Sequence, residues 1–171
     1  MFSYLYLCLL LAAVVCALPG RKVTRAEIDS CLDSAAVPQY LSTSTNFTQA
    51  VLPYNLRIPF TPVAVAVPTT VAQVQAAVKC GAKLGITVSP KSGGHSYANH
   101  GIGGEDGHLM VDMKYWNTVS LDKDSGVATI GPGSRLGNVA QALYTQGNVA
   151  LSHGTCPSYV LICNAIQSRN D

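Results

Sequence analysis

Two short stretches of the sequence carry residues that could do chemistry. The first, residues 89–98, holds two adjacent glycines, a lysine, several hydroxyl side chains and a histidine. Glycines let backbone N–H groups approach a ligand closely, and a cluster of such donors forms a concavity that binds anions. His95 adds a side chain that can act as nucleophile, base or metal ligand near neutral pH. A plain surface turn is the alternative for this stretch on its own.

The second stretch, residues 152–157, offers a thiol at Cys156 beside a histidine and a glycine. Histidine and cysteine are also zinc ligands, but the candidates lack tight paired spacing and glycine turns separate them, which argues against a zinc site. Two of these histidines, His100 and His108, are expected to face solvent. The candidate zinc ligands are His95, His100, His108, His153 and Cys156.

The first stretch follows a predicted helix and strand. Thr70 and Gln73 have the form of a capping box, and Gly85 stands where a left-handed residue ends a helix. Residues 86–88 then form a short β-branched run. The apolar stripe expected to face the core consists of Val71, Val74, Val78 and Leu84.

The second stretch follows the same design. Ser134 is expected to cap a helix that ends at Gly147, and residues 149–151 read as a short apolar strand. Two such units place two reactive loops at corresponding strand ends, where ligands gather in α/β proteins. The buried stripe expected of this second helix consists of Leu136, Val139, Ala140 and Leu143.

The remaining elements are simpler to assign. Residues 63–67 are a continuous apolar run, typical of a strand buried on both faces. Prolines at 53, 59 and 62 predict an irregular connection over residues 46–62. The sequence also predicts a short helix around 25–32, a strand at 109–113 and a hairpin of 118–121 with 127–130.

Residues 1–17 predict a secretory signal peptide. They are nearly all apolar from residue 2, end in small residues, and precede a Pro-Gly break. The run is shorter than the roughly 20 residues that cross a bilayer, so no stable membrane association is expected. A signal anchor is the alternative, because no Lys or Arg precedes the apolar run. The net charge of +2 is unclustered, which argues against nucleic acid as a partner.

Secretion would make disulfides and glycosylation available. Cleavage after residue 17 leaves four cysteines, which allow three pairings: Cys31, Cys80, Cys156 and Cys163. Cys80 falls on the far side of its helix from the valine stripe, so it suits a link to another segment, with Cys31 as candidate partner. Two free buried thiols are the alternative. Asn46 begins a glycosylation sequon.

Together, residues 91–97 and 152–157 resemble the two attachment loops of covalent flavoprotein oxidases of the vanillyl-alcohol-oxidase type. The closest likeness is to berberine-bridge-like enzymes and fungal oligosaccharide oxidases. The resemblance implies an α+β chain, the N-terminal portion of the PCMH-type FAD-binding fold, with FAD bonded to His95 at its 8α-methyl carbon and to Cys156 at C6. A Cys156–Cys163 disulfide is the alternative for that thiol. The implied cofactor-binding residues are Lys91, Ser92, Gly93, Gly94, His95, Ser96, His153, Thr155 and Cys156.

Residues 131–137 also match that family. A dinucleotide loop of the Rossmann type is discounted there, because the glycine spacing is one residue too long. The resemblance implies oxidation of a hydroxyl on a small molecule, a sugar or a secondary metabolite, with oxygen as electron acceptor. It implies a signal peptide (1–17), a lead-in (18–60), a partial FAD-binding domain (61–157) and a divergent tail (158–171).

That tail contains no glycine, whereas the family continues with a glycine-rich run, so we expect a truncated chain without catalytic residues of its own and inactive alone. Two alternatives stay open. One is a non-catalytic secreted remnant, held by a disulfide, that binds FAD weakly or not at all. The other is a chain with no stable fold, because half a flavin domain would expose apolar faces that favour aggregation.

Overall fold

The structure, a computed structural model, describes residues 23–157. The predicted signal peptide, the predicted tail and Cys163 lie outside the described residues. No helix within residues 23–157 is long and apolar enough to span a membrane. The elements are α1 (Arg25–Ser34), β1 (Gln39–Tyr40), α2 (Thr45–Ala50), β2 (Ala64–Ala66), α3 (Val71–Leu84), β3 (Val88–Lys91), a 3₁₀ turn (His100–Ile102), β4 (Leu109–Asp112), β5 (Val119–Leu121), β6 (Ala128–Ile130) and α4 (Leu136–Gly147).

A four-stranded sheet in the order β1-β2-β4-β3 organises the first part of the chain, residues 25–112, which we refer to as the sheet region. β2, β4 and β3 are parallel, and β1 lies antiparallel at one edge. Every residue of β2 and of β4 is buried. The two-sided burial predicted for residues 63–67 is therefore confirmed, because helices cover both faces of this sheet.

The two sheet faces have separate cores. On one face, α1 contributes Ile28 and Leu32, both fully buried, and packs with α3. On the other face, α2 contributes Phe47 against Met110 of β4. The residues expected as a lead-in thus share the core of the sheet.

Helix α2 overlaps the start of the segment, residues 46–62, that we expected to be irregular. Ser44 caps it by accepting a hydrogen bond from the Phe47 N–H, 3.1 Å away. The helix ends at Ala50, before the first proline of the segment, so the prolines did not exclude it. The short strand β1 was not predicted either.

Helix α3 has the predicted ends. The Thr70 hydroxyl accepts a hydrogen bond from the Gln73 N–H (3.3 Å), and Gly85 is left-handed with φ of 68°. A full capping box would also have the Gln73 side chain accept from the Thr70 backbone N–H, and this second bond differs from the expectation. The Gln73 side-chain oxygen accepts from the Thr69 N–H (2.8 Å), one residue before the cap.

The face that α3 turns to the core is not the predicted valine stripe. Of the predicted stripe, Leu84 packs against the core, but Val71 is 59% exposed and Val78 is 47% exposed, and the buried residues are Ala77, Cys80 and Gly81. The prediction was wrong because this helix is packed closely, through its small residues. A side chain on Gly81 would overlap Val88 of β3.

Cys80 therefore points inward, not outward as the sequence argument assumed. It is 4% exposed and forms a disulfide with Cys31 of α1, across a Cα–Cα distance of 5.9 Å. The pairing is the expected one, but the reasoning that led to it placed Cys80 on the wrong side of the helix. The bond joins α1 to α3 within the core.

The second part of the chain, residues 119–147, is the hairpin region. β5 and β6 pair antiparallel as predicted, and α4 packs against β5. The Gln146 side chain of α4 accepts from the Leu121 N–H (2.8 Å) and donates to the Val119 carbonyl (3.0 Å). These two bonds continue the backbone pairing of β5 onto the helix.

Three expectations for this region are corrected. Arg135, not Ser134, is the cap residue of α4, and Ser134 is buried. Ala140 is exposed, although the other three members of its stripe are buried. Residues 149–151 form no strand: the chain turns at Asn148 with φ of 53°, and none of the described strands pairs with them.

Close backbone packing joins the two regions. The indole N–H of Trp116 donates to the Pro68 carbonyl (2.8 Å), and the Gly133 N–H donates to the Trp116 carbonyl (2.8 Å). A Cβ on Gly131 would overlap the Trp116 carbonyl. The glycines of residues 131–137 therefore include positions that let backbone approach backbone.

Candidate functional site

The His95 loop, residues 92–99, leaves the sheet at the carboxyl end of β3. β3 pairs with β4 from Val88 through Lys91, two residues later than the predicted run at 86–88. Pairing with a neighbouring strand, rather than β-branched composition, sets these bounds. Because three parallel strands end at this edge, the loop lies where ligands of α/β sheets bind.

Two glycines shape the loop. Gly94 is left-handed with φ of 73°. A Cβ on Gly101 would lie only 3.0 Å from the Cα of Gly94. The loop therefore folds back onto the 3₁₀ turn with backbone against backbone. The Ser89 hydroxyl donates to the His100 carbonyl (2.7 Å) and holds the turn against β3.

A cationic pocket lies beside the loop. Lys91 donates to the Ala50 carbonyl, and burial lowers the pKa of this lysine while the Asp112 carboxylate opposes that shift. The pocket has a volume of about 210 Å³, with Asp112 the one acid among its described lining residues. Three cations and one acid favour an anionic ligand, and this volume is below the ~300–1,000 Å³ of whole small-molecule sites. The cations are Lys91, Lys114 and Arg135, and the loop adds Ser92 and Gly93.

His95 lies half-buried beside an aromatic ring. The rings of His95 and Tyr54 have centroids 5.2 Å apart in an edge-to-face arrangement. Burial lowers the pKa of His95, and the positive charges of Arg135 and Lys91 lower it further. The neutral imidazole, which is the nucleophilic form, is therefore favoured at neutral pH.

The second reactive loop lies beside the first turn of α4. Cys156 is exposed, and its neighbour Pro157 accepts a hydrogen bond from the Gly137 N–H, 2.9 Å away, in the first turn of α4. On the other side, the Ser92 hydroxyl of the His95 loop donates to the Pro132 carbonyl, and Ser92 lines the cationic pocket together with Arg135, the N-cap residue of α4. Both loops thus contact residues near the N-terminal end of α4.

The other two predicted residues of the second loop lie at the surface. His153 and Thr155 are both exposed, and the His153 ring interacts with the neighbouring Gly154 carbonyl at 2.6 Å. Over residues 23–157, no three His, Cys, Asp or Glu side chains lie close enough to hold a metal ion.

His108 is buried, at 1% exposed, and not solvent-facing as expected, whereas His100 is exposed. The Nδ1 atom of His108 lies 2.7 Å from the Glu105 carbonyl oxygen, an acceptor, so this nitrogen carries the proton. The ring packs over Gly103, where a Cβ would overlap it. Burial lowers the pKa of His108. A glycine-rich segment misled the prediction, because Gly103 makes room for the ring.

Sequence reasoning also missed the residues that hold the His95 loop from behind. Asn99, the last residue of the loop, is 1% exposed and bonds to the backbone of Asn55 and Ile58. These partners lie more than 40 positions apart in the chain, so no local pattern links them. The left-handed φ of Asn99, 55°, is a conformation that asparagine tolerates better than most residues, and its place before a glycine-rich segment was the one available signal.

The predicted glycosylation residue lies close to this site. Asn46 is exposed on α2 and lines the cationic pocket together with Lys91 and Arg135. A modification there would project beside the His95 loop.

The sequence matches a known protein family and several known proteins. The family model described as an FAD binding domain matches residues 62–168. A xylooligosaccharide oxidase of Thermothelomyces thermophilus is 50% identical over 145 residues, which are 85% of this chain and 29% of the relative. A chitooligosaccharide oxidase of Gibberella zeae is 56% identical over 133 residues, or 78% of this chain and 27% of the relative. The chain thus spans less than a third of the length of these relatives.

A solved structure shares the fold and carries a flavin. The glucooligosaccharide oxidase from Acremonium strictum superimposes with a TM-score of 0.76 at 44% identity, over 79% of this chain and 28% of that one. Its FAD is described as 6-S-cysteinyl, 8α-N1-histidyl. In that protein the flavin is therefore joined to both a cysteine and a histidine.

Proposed function

This chain belongs to the FAD binding domain family, and from that membership we propose that it is the FAD-binding portion of a flavin-dependent oxidoreductase. The proposed reaction is oxidation of a hydroxyl group on a carbohydrate or secondary metabolite, with molecular oxygen as electron acceptor. The observation that supports it most directly is the convergence of the His95 and Cys156 loops at one end of α4, beside a cationic pocket.

The residues present fit part of an FAD. The cations of the pocket, with Ser92 and Gly93 beside them, suit a pyrophosphate, which carries negative charge and accepts N–H bonds. We assign this contact to Lys91, Ser92, Gly93, Gly94 and Ser96. When bound, FAD supplies the acceptor for the substrate's hydride.

His95 and Cys156 are the proposed attachment residues. The neutral imidazole has a lone pair available for an N–C bond to the flavin's methyl carbon. Forming that bond would cost the imidazole N–H proton and one methyl hydrogen, and FAD, when bound in air, would supply the two-electron oxidation that this requires. Cys156 would form the second link, with His153 and Thr155 beside it.

A second candidate is an FAD-binding module without turnover. The volume of the cationic pocket, about 210 Å³, favours it, since that space takes a phosphate-sized group and not a whole cofactor with a sugar beside it.

The test uses the full 171-residue chain, expressed through a secretory pathway and incubated with FAD in air. Flavin that stays with the acid-precipitated protein, together with peroxide production on xylo-, chito- or glucooligosaccharides, is the expected result. Attached flavin without peroxide on any sugar would identify the second candidate. A colourless precipitate after prolonged incubation, from a chain that also leaves FAD fluorescence unchanged on titration, would contradict both.

We also propose that the chain is secreted and that Asn46 carries a glycan. A shift in gel mobility on enzymatic removal of N-glycans, absent in Asn46→Gln, would support this. Because Asn46 lines the cationic pocket, the glycan should slow FAD binding, so Asn46→Gln should load FAD faster than the glycosylated chain. Equal loading rates would place the glycan away from the pocket.

A further inference from the structure

A buried asparagine ties the segment that precedes β2 to the His95 loop. The Asn99 side-chain oxygen accepts from the Asn55 N–H (3.0 Å), and its amide donates to the carbonyls of Asn55 (2.8 Å) and Ile58 (2.9 Å). The Asn55 amide donates in turn to the Tyr97 carbonyl (2.9 Å). These four bonds, the asparagine clamp, use both amide donors of Asn99 and fix how residues 55–58 lie on the loop.

The residue before the clamp contacts the reactive histidine. The Tyr54 ring lies edge-to-face on His95, with centroids 5.2 Å apart, and on Tyr97, with centroids 5.5 Å apart. Edge-to-face geometry is the orientation that aromatic quadrupoles prefer, so each ring limits the rotation of its neighbour. Three rings from two distant segments thus stand in a row.

This row of rings is not part of either sheet core. Tyr54 is 41% exposed and Tyr97 is 73% exposed, whereas Asn99 beneath them is 1% exposed. A clamp that served only folding would not require an exposed ring against the imidazole. The arrangement indicates that the clamp's bonds hold Tyr54 in place over His95.

The groups around the His95 ring include two cations and an aromatic ring. Arg135 approaches from the start of α4 and Lys91 from the end of β3, each with a positive charge. The Tyr54 ring, next to the clamp, covers one edge of the imidazole, with ring centroids 5.2 Å apart. The two cations and the loss of water all disfavour the protonated imidazole.

We propose that Tyr54, held by the asparagine clamp, is a positioning residue that fixes the His95 ring for attachment to the flavin. The orientation of the ring is a property of the chain alone. Its use in attachment rests on the proposed function, so the two parts are measured separately.

The first measurement follows the His95 imidazole by NMR in the full chain without FAD, across a pH titration. In Tyr54→Leu the titration midpoint should rise toward the ordinary histidine value of about 6.5, because water reaches the ring. Tyr54→Phe keeps the ring and should titrate like the wild type. Tyr144→Leu, which removes a 65% exposed tyrosine of α4, is the matched control.

The second measurement is the rate at which acid-stable flavin accumulates at pH 7. A misplaced nucleophile loses on the order of tenfold to a hundredfold in rate, so Tyr54→Leu should slow attachment by that factor. Tyr54→Phe and Tyr144→Leu should not. A rate in Tyr54→Leu that is restored by raising the pH would show that the loss comes from protonation of His95.

A folded Tyr54→Leu with wild-type titration, or with wild-type attachment where the wild type attaches flavin, overturns the inference. If the wild type attaches no flavin but its His95 titration still responds to Tyr54→Leu, the proposed function fails and the positioning by Tyr54 stands. Should Tyr54→Leu not fold, Asn55→Ala releases the bond to Tyr97 and should move both readouts in the same direction by less. No movement in that variant would also overturn the inference.

Discussion

The loops that carry His95 and Cys156 follow similar stretches of sequence, but only the first is built into a sheet. β3 pairs with β4 over four residues before the His95 loop, whereas residues 149–151 form no strand in the described chain. The asparagine clamp then holds the His95 loop, while Cys156 is exposed. A helix, a glycine and an apolar run therefore do not by themselves specify a strand.

The two loops should also differ in reactivity. A loop fixed by its own fold presents its nucleophile before a cofactor arrives, which is what preorganisation contributes to reactivity. We therefore expect His95 to attach flavin without help from Cys156, and Cys156 to depend on His95.

The largest expected effect is on flavin attachment. His95→Ala should lose essentially all acid-stable flavin, because the exposed Cys156 loop lacks a comparable hold. Cys156→Ser should keep a singly attached flavin, seen by intact-protein mass. Retention of covalent flavin in His95→Ala with its loss in Cys156→Ser would reverse the order of the two loops.

The second effect concerns the stability of the sheet region. The Cys31–Cys80 bond closes a loop with a sequence separation of 49, so its removal in Cys31→Ala/Cys80→Ala should lower the free energy of unfolding by about 4 kcal/mol. Chemical denaturation measures this change. Cys156→Ser is the matched control, and a similar loss in that variant would mean that the Cys156 loop is as firmly built as the sheet region.

Two glycine substitutions, one in each region, separate the cost of overpacking from the cost of backbone strain. Gly103 has φ of 113° and its Cβ would overlap the His108 ring, while Gly126 in the hairpin has φ of 72° with open space around it. Gly103→Ala combines backbone strain with overpacking and should cost about 3 kcal/mol. Gly126→Ala should cost about 1 kcal/mol from strain alone. Equal costs in denaturant titrations would show that the packing over His108 is loose.

The smallest effect is the pH dependence that His108 confers. Because burial lowers its pKa in the folded chain, the unfolded chain binds the proton more readily. Stability from this group is complete above the unfolded value of about 6.5 and is lost as pH falls toward the folded pKa, at about 1.4 kcal/mol per unit of difference. Denaturation midpoints between pH 7 and 5 measure it.

His108→Asn should flatten that dependence, whereas His153→Gln, at an exposed position, should leave it unchanged. The structural reason is that Nδ1 donates to the Glu105 carbonyl while the buried Nε2 has no partner among the described residues. Protonation would place a second N–H there without an acceptor. An unchanged slope in His108→Asn would assign the dependence to another group.

Local patterns predicted the fold where the decisive interactions are local. The cap at Thr70, the left-handed Gly85 and the buried run of β2 depend on neighbours in sequence, and each was predicted. The inner face of α3 was predicted wrongly. Hydrophobicity favours valines, but the neighbouring helix and strand select the positions with the smallest side chains.

The candidate site divides along the same line. The glycine loop and its histidine could be proposed as a site from residue types close together in the chain. Tyr54 and the clamp were not, because Asn55 and Asn99 are 44 positions apart. His108 was misplaced for a related reason, since its burial depends on the space that Gly103 leaves.

Trp116 is the single tryptophan of the sequence, and its indole lies where the sheet region meets the hairpin region. Its N–H bond to the Pro68 carbonyl (2.8 Å) exists only while the two regions are docked. The emission spectrum of the chain therefore reports on this junction alone. A red shift that precedes the loss of helical circular dichroism would mark separation of the two regions before either one unfolds.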